Sequence, residues 1–102
     1  MNFEELKQKV QQWSEARGIY QHSNAVSQLL KAVSEMGELA DAEAKQRRTE
    51  QADAVGDVLV CLINYCYMKD MDIVACLGHA YDEIKDRKGK MVYGGVFVKE
   101  GA

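Results

Sequence analysis

Apolar residues recur three and four positions apart along most of the chain, which is the spacing of one face of an α-helix. The first stretch predicts a helix over residues 3–17, capped by Asn2 and ended by Gly18. The second predicts a helix over residues 24–45, with Ser23 as its N-cap. The chain contains no proline, so nothing forbids long uninterrupted helices.

A third helix is predicted to begin after its cap, Thr49, and to continue to residue 69. Its C-terminal half, residues 58–68, is apolar on almost every side and is interrupted by Asn64. A helix of this kind must be covered on more than one side, and a chain of 102 residues has little to cover it with. We therefore expect burial against a second subunit, in a homodimer or a dimer of dimers.

The C-terminal part of the chain changes character after a fourth helix, which we predict over residues 73–88 with Asp72 as its cap. Residues 91–98 have β-type side chains around a Gly-Gly turn signal, which is typical of a small hairpin or of an arm that packs on a neighbour. The predicted fold class is all-α. We expect a four-helix bundle-like protomer with a short C-terminal β-like tail, oligomerising through the apolar third helix.

Composition and charge exclude several classes of protein. A length of 102 residues fits one domain, and the net charge of −3 argues against nucleic-acid binding by bulk electrostatics. The longest apolar run is too short to span a bilayer, and residues 1–10 carry acids and lysines where a signal peptide needs an apolar stretch. Cys61, Cys66 and Cys76 form no CxxC pair, which predicts reduced, buried thiols and a cytoplasmic location.

The strongest chemical pattern is a set of carboxylates on the second and third predicted helices. Glu35 and Glu38 share one helix face, and Asp53 and Asp57 share another. A short connection makes the two helices antiparallel neighbours, which brings the two acidic pairs together. Carboxylate oxygens suit Mg²⁺ or Mn²⁺ and do not suit zinc. The same spacing also fits a solvated acidic face, so the pattern alone leaves both interpretations open.

Two segments carry a resemblance to a known family. Glu-Met-Gly-Glu-Leu-Ala at residues 35–40 is followed by Val-Gly-Asp-Val-Leu-Val at residues 55–60. Together they resemble the ExxE…ExxD signature of MazG-like pyrophosphohydrolases, in the all-α NTP pyrophosphatase superfamily. Residues 84–100 also look like the C-terminal segment of small phage- and mobile-element-type members. One position departs from the signature, because Ala54 stands where the family has its second-motif glutamate and an acid appears one place earlier, at Asp53.

The resemblance implies a single MazG-like pyrophosphohydrolase domain over residues 1–102, acting in house-cleaning of nucleotide pools. Its reaction would be the Mg²⁺-dependent hydrolysis of nucleoside triphosphates, expected to be dNTPs, to the monophosphate and pyrophosphate. It also implies that Glu35, Glu38 and Asp57 bind the metal, with Asp53 as a substitute ligand. One glutamate of the Glu35–Glu38 pair would be the catalytic general base.

Basic and aromatic residues are the candidates for substrate contact. Lys31 lies one helical turn before the first acidic pair, and the resemblance favours Lys85 and Arg87 as further phosphate contacts. A basic helix C-terminus that complements the helix dipole explains the last two equally well. Trp13 is a candidate for base stacking and otherwise a core residue. Asn64 fits a buried hydrogen-bonding residue at a subunit interface better than a substrate contact.

Two other functions are compatible with the sequence. A non-enzymatic helical dimerisation or adaptor module would use the acidic face to bind a basic partner protein. A degenerate family member would bind nucleotide without turnover, and Ala54 at the second motif keeps this possibility open.

Overall fold

A computed structural model of the chain describes residues 1–101 and is mostly helical, with a short two-stranded antiparallel sheet near its C-terminal end. The elements in chain order are α1 (Phe3–Ala16), α2 (Ile19–His22), α3 (Ala25–Ala44), α4 (Arg48–Met68), α5 (Ile73–Ile84), β1 (Gly89–Val92) and β2 (Val96–Lys99). The predominantly helical class is therefore confirmed. The four-helix arrangement and the oligomerisation stay predictions.

The start of α1 follows the predicted local chemistry. The Asn2 side chain accepts a hydrogen bond from the Glu5 backbone N–H at 2.8 Å, and the Glu5 side chain reaches back to the Asn2 backbone N–H. This capping box satisfies two backbone donors that have no partner within the helix. At the other end Gly18 adopts a left-handed φ of 78° and separates α1 from α2, a backbone conformation that glycine tolerates best.

The predicted N-cap of α3 was wrong by one residue. Asn24, and not Ser23, accepts the hydrogen bond from the Ser27 backbone N–H, at 2.8 Å. Ser23 is already engaged as the C-cap of α2, since its backbone N–H donates to the carbonyl of Ile19. The hydroxyl of Ser23 is thereby left to accept a hydrogen bond from the side chain of Gln28.

The predicted cap of α4 was also wrong, because the connection from α3 is shorter than expected. Gln46 takes a left-handed φ of 55°, and the Arg47 N–H donates back to the carbonyl of Ala42. This is the geometry of a Schellman motif, which ends a helix within two residues. Residue 48 can then begin α4 directly, so Thr49 lies inside the helix and Arg47 takes the cap position without a side-chain hydrogen bond.

The fourth predicted helix ends four residues early, at Ile84. The Arg87 N–H closes a turn onto the carbonyl of Ile84, and the Lys88 carbonyl accepts from the Glu100 N–H, which draws the chain into the hairpin. The strands pair in the register Gly89↔Lys99, Lys90↔Val98, Met91↔Phe97 and Val92↔Val96. Of the two alternatives for the tail, the hairpin is confirmed.

Helix α4 lies at the centre of the fold and contacts α1, α3 and α5. Its tightest partner is α3, and small buried side chains at their interface (Ala32 and Ala42 on α3, Ala54 on α4) let the two helices approach closely. Cys61, Ile63 and Cys66 complete the buried apolar set among the described residues. Cys76 is exposed, which corrects the expectation that all three thiols are buried.

A large part of the apolar surface of this single chain is not covered. Val26, Leu30 and Val33 on α3 are more than 60% exposed, and Val55 and Leu59 on α4 are 48% and 38% exposed. The radius of gyration is 16.4 Å, against about 13 Å for a compact domain of this length. Within residues 1–101 no helix combines the length and hydropathy that a membrane crossing requires.

Candidate functional site

The carboxylates meet because α3 and α4 pack side by side in opposite directions. Two hydrogen bonds fix their relative position: Gln51 to Glu43 at 2.8 Å near the connection, and Asn64 to Gln28 at 3.4 Å further away. Glu35 lies seven residues after Gln28, and Asp57 lies seven residues before Asn64. The antiparallel packing therefore sets Glu35 opposite Asp57, as the sequence predicted.

Glu35 interacts with each of the charged residues around it. Hydrogen bonding to Glu38, partial burial and the negative charge of Asp57 all raise the pKa of Glu35, while the nearby Lys31 opposes the rise. Of the buried side-chain oxygen and nitrogen atoms within residues 1–101, Glu35 Oε2 is the one without a hydrogen-bond partner. When both glutamates are ionised neither can donate a hydrogen bond, so this oxygen needs a proton, a cation or a water molecule from the adjoining cavity.

The predicted metal ligands are near one another without forming a ready coordination sphere. Within residues 1–101 no three acidic, histidine or cysteine side chains stand close enough together to hold an ion in their present rotamers. Glu35, Glu38 and Asp57 nevertheless interact electrostatically, and no ion pair to Lys or Arg occupies any of them. Their donor chemistry fits Mg²⁺ or Mn²⁺, provided that side-chain rotation brings the oxygens together.

Asp53, the predicted substitute ligand, is less closely associated with Glu35 than the other two acids are. The pKa of Glu35 is raised by Glu38 and Asp57 but not by Asp53. Neither Asp53 nor Glu38 lines the cavity beside Glu35. Ala54 stands where the signature that the sequence resembles has a glutamate; it is 4% exposed and packs into the α3–α4 interface. An alanine suits that tight interface, because a longer side chain there would have to displace its neighbours.

A cavity of about 320 Å³ opens beside the acids, within the size range of small-molecule sites. It is lined by Trp13, Ile19, Ser23, Gln28, Lys31, Glu35, Asp57, Val60, Cys61 and Asn64. Glu35 on α3 and Asp57 on α4 line one level of the cavity, which we call the charged rung. Gln28 and Asn64, seven residues further along their helices, line the next level, which we call the amide rung. Two helical turns, about 10 Å, separate the charged rung from the amide rung.

Two of the four predicted substrate contacts line this cavity. Lys31 lies on α3 between Gln28 and Glu35 and opposes the rise in the pKa of Glu35. Trp13 is half exposed, and the guanidinium carbon of Arg17 lies 5.3 Å from the centre of its ring. Lys85 is instead paired with Asp82 at 3.4 Å, and Arg87 lies beside the hairpin with Glu83 and Glu100. Neither of these two residues lines the cavity within this chain, and their phosphate role stays a prediction.

The amide rung joins Asn64, which the sequence predicted to be a buried hydrogen-bonding residue, to polar side chains for which the sequence predicted no such role, namely Ser14, Ser23 and Gln28. Asn64 Oδ1 accepts hydrogen bonds from Ser14 Oγ and from the Tyr20 hydroxyl, both at 2.8 Å. Asn64 Nδ2 donates to Gln28 Oε1, and Gln28 Nε2 donates to Ser23 Oγ at 3.1 Å. Asn64 thus makes its hydrogen bonds inside one chain. The only sequence signal was a polar residue on each of two apolar helix faces, which does not show that the two residues meet.

No protein-family model matches the chain, and no solved structure matches it. The chain is 27% identical over 73 residues to an uncharacterized 18.2 kDa protein from the rep-hol intergenic region of Haemophilus phage HP1. The match covers 72% of this chain and 45% of the phage protein, so the similarity spans less than half of that relative.

Proposed function

We propose that this protein is a Mg²⁺-dependent nucleoside triphosphate pyrophosphohydrolase of the MazG-like type, releasing a nucleoside monophosphate and pyrophosphate. The observation that carries the proposal is the buried Glu35 Oε2, which has no hydrogen-bond partner and lies among Glu38, Asp57 and a cavity. Burying such an oxygen is costly unless a hydrogen-bond donor or a cation satisfies it. Three carboxylates around one such position make a divalent cation the fitting occupant at neutral pH.

The residues in and beside the cavity would have separate roles in this reaction. Glu35, Glu38 and Asp57 would hold the cation, which on binding supplies charge neutralisation at the triphosphate oxygens. The glutamate of the Glu35–Glu38 pair that binds the cation less tightly orients a water molecule and takes its proton. Lys31, one turn before Glu35 on α3, neutralises phosphate charge, and Trp13 offers the base an aromatic ring for stacking in the same cavity.

Product analysis tests this proposal directly. A panel of normal and damaged dNTPs and NTPs is incubated with the protein and Mg²⁺, and pyrophosphate is measured separately from phosphate. We expect pyrophosphate and the monophosphate as products, and a loss of about 10²-fold or more in Glu38→Gln. Glu43→Gln is the matched control, because Glu43 is on the same helix but is exposed and bonded to Gln51. Pyrophosphate release that is unaffected by Glu38→Gln would refute the assignment.

We also propose that the protein works as a homodimer or a dimer of dimers. The exposed apolar side chains of α3 and α4 lie on the outer side of this helix pair, opposite the residues that line the cavity. A second copy could cover this surface and leave the cavity open. Sedimentation should therefore show no stable monomer at micromolar concentration, and a monomer there would contradict the proposal.

A non-enzymatic adaptor is the second candidate, and the extent of uncovered apolar surface is the observation that favours it. An adaptor has no need of a cavity, so this function does not explain why Lys31 and the acids around Glu35 lie beside one. The nucleotide panel separates the two functions, since an adaptor would show no Mg²⁺-dependent turnover of any nucleotide.

A further inference from the structure

The backbone of Trp13 is held beside the cavity by its neighbour in the chain. Ser14 is completely buried and is hydrogen-bonded to Asn64 at 2.8 Å, which fixes this part of α1 against α4. Trp13 itself is 49% exposed, and an exposed side chain changes rotamer rapidly unless a neighbour holds it. The backbone anchor therefore does not determine where the ring points.

Arg17 is the neighbour that holds the ring. Its guanidinium carbon lies 5.3 Å from the centre of the Trp13 ring, within the distance at which a cation is attracted to the face of an indole. The two residues are four positions apart and so share one face of α1, and the Arg17 backbone N–H donates to the Trp13 carbonyl at 3.0 Å. The stacked arrangement is therefore built into the end of the helix, directly before Gly18 turns the chain away.

The guanidinium leaves the cavity side of the ring free. Trp13 lines the cavity and Arg17 does not, so the cation covers the part of the ring that is turned away from the cavity. We propose that Arg17 is a positioning residue, which holds the Trp13 ring as a platform on which the base of a nucleotide stacks. The proposal rests on the proposed function for its choice of a nucleotide as ligand.

This platform recognises a base by its aromatic face. Every base has such a face, so the platform favours nucleotides over phosphate compounds without a base and does not choose between bases. Arg17 contributes by keeping the ring in place. Its removal should weaken base binding by the strength of an exposed cation–π contact, which corresponds to a factor of about two to five.

Calorimetric titrations with GMP and with ribose 5-phosphate, both in Mg²⁺, separate the base from the phosphate. Arg17→Ala should bind GMP about two- to fivefold more weakly than the wild type does, and should bind ribose 5-phosphate equally well. Arg17→Lys retains a cation near the ring and should recover part of the loss. Lys9→Ala removes the same charge from an exposed position of α1 and should leave both affinities unchanged.

The motion of the ring gives a second measurement, which needs no ligand. Trp13 is the single tryptophan of the chain, so time-resolved fluorescence anisotropy reports on this ring alone. The fast component of the decay should grow in Arg17→Ala and not in Lys9→Ala. An unchanged decay in Arg17→Ala would show that Arg17 does not hold the ring and would overturn the proposal.

The outcomes separate the positioning role from the proposed function. A loss of GMP affinity in Arg17→Ala, without triphosphate turnover by the wild type, supports the positioning role and refutes the hydrolase. Turnover together with wild-type GMP affinity in Arg17→Ala overturns the positioning role and leaves the hydrolase standing. An equal loss for ribose 5-phosphate would mean that Arg17 contacts the phosphate, and no binding of GMP by the wild type would mean that the cavity is not a base site; either result overturns the positioning role.

Discussion

Glu35 and Glu38 lie one turn apart on α3, and hydrogen bonding between their carboxyl groups raises the pKa of Glu35. Two carboxylates this close share a proton more readily than they both ionise. The pair therefore destabilises the metal-free protein once both groups are charged. A bound cation removes that repulsion, so the same two residues link protein stability to metal binding.

The first prediction concerns the pH dependence of stability without metal. Because the pKa of Glu35 is above its unfolded value near 4.5, the folded state is favoured while Glu35 is protonated. This contribution is lost as the pH rises through the folded pKa. Thermal unfolding in EDTA should therefore show a stability loss above pH 4.5 that Glu35→Gln largely abolishes. Mg²⁺ should restore stability in the wild type at neutral pH and not in the variant; equal restoration in both would contradict the prediction.

Ala54 gives a second prediction, because it stands where the family has a glutamate. Ala54→Glu places a long acid at a position that is 4% exposed between α3 and α4. Overpacking of this kind costs about 1–3 kcal/mol, so urea unfolding without metal should show that loss of stability. Ala54→Ser, a small polar control, should lose much less. If the introduced acid can reach the cation, Mg²⁺ will stabilise Ala54→Glu more than it stabilises the wild type.

The contact between α1 and α5 gives a third prediction. Asp72 accepts a hydrogen bond from the buried Lys7 Nζ at 3.0 Å and also from the Val74 backbone N–H, which lowers the pKa of Asp72. Its stabilising contribution is present above the unfolded pKa of 3.8 and is lost as the pH falls through the lower folded value. Asp72→Ala should lower the melting temperature more than Asp72→Asn, since asparagine retains the cap. Equal effects would show that the cap contributes nothing.

Asn64 gives a fourth prediction, this time for the core. Asn64→Leu leaves the hydroxyl groups of Ser14 and Tyr20 without their shared acceptor. Each unsatisfied buried group costs about 1–3 kcal/mol. Ser14 is buried and Tyr20 is part-buried, so urea unfolding should show a loss of at least this size. The double variant Ser14→Ala/Asn64→Leu should recover part of it, because one orphaned hydroxyl is gone. A double variant that loses the sum of the two single effects would contradict the network.

Local chemistry explains which parts of the fold could be predicted. The Asn2–Glu5 capping box depends on residues three apart, and the structure confirms it. The facing of Glu35 and Asp57 depends on a short connection between two long helices, which was also visible in the sequence. The errors at Ser23 and Thr49 arose where two helices compete for one residue or where a left-handed turn shortens the connection. Such competition depends on the geometry of both flanking helices.

The amide rung could not be predicted for a different reason. Ser14 and Asn64 are 50 positions apart, and Gln28 and Asn64 are 36 apart. Whether such polar residues meet is decided by the rotation of α1, α3 and α4 about their axes. That rotation follows from the packing of small residues such as Ala32 and Ala54. The spacing of apolar residues shows only which broad side of each helix is buried, so it does not determine the rotation.

Mn²⁺ binding tests most directly whether acids from two helices hold one cation. Electron paramagnetic resonance counts free Mn²⁺ during a titration of the wild type, Glu35→Gln, Asp57→Asn and the control Glu43→Gln. We expect a Mn²⁺ site that is lost both in Glu35→Gln, on α3, and in Asp57→Asn, on α4, and that is retained in Glu43→Gln. Wild-type binding in Asp57→Asn, or no bound Mn²⁺ in the wild type, would contradict this expectation.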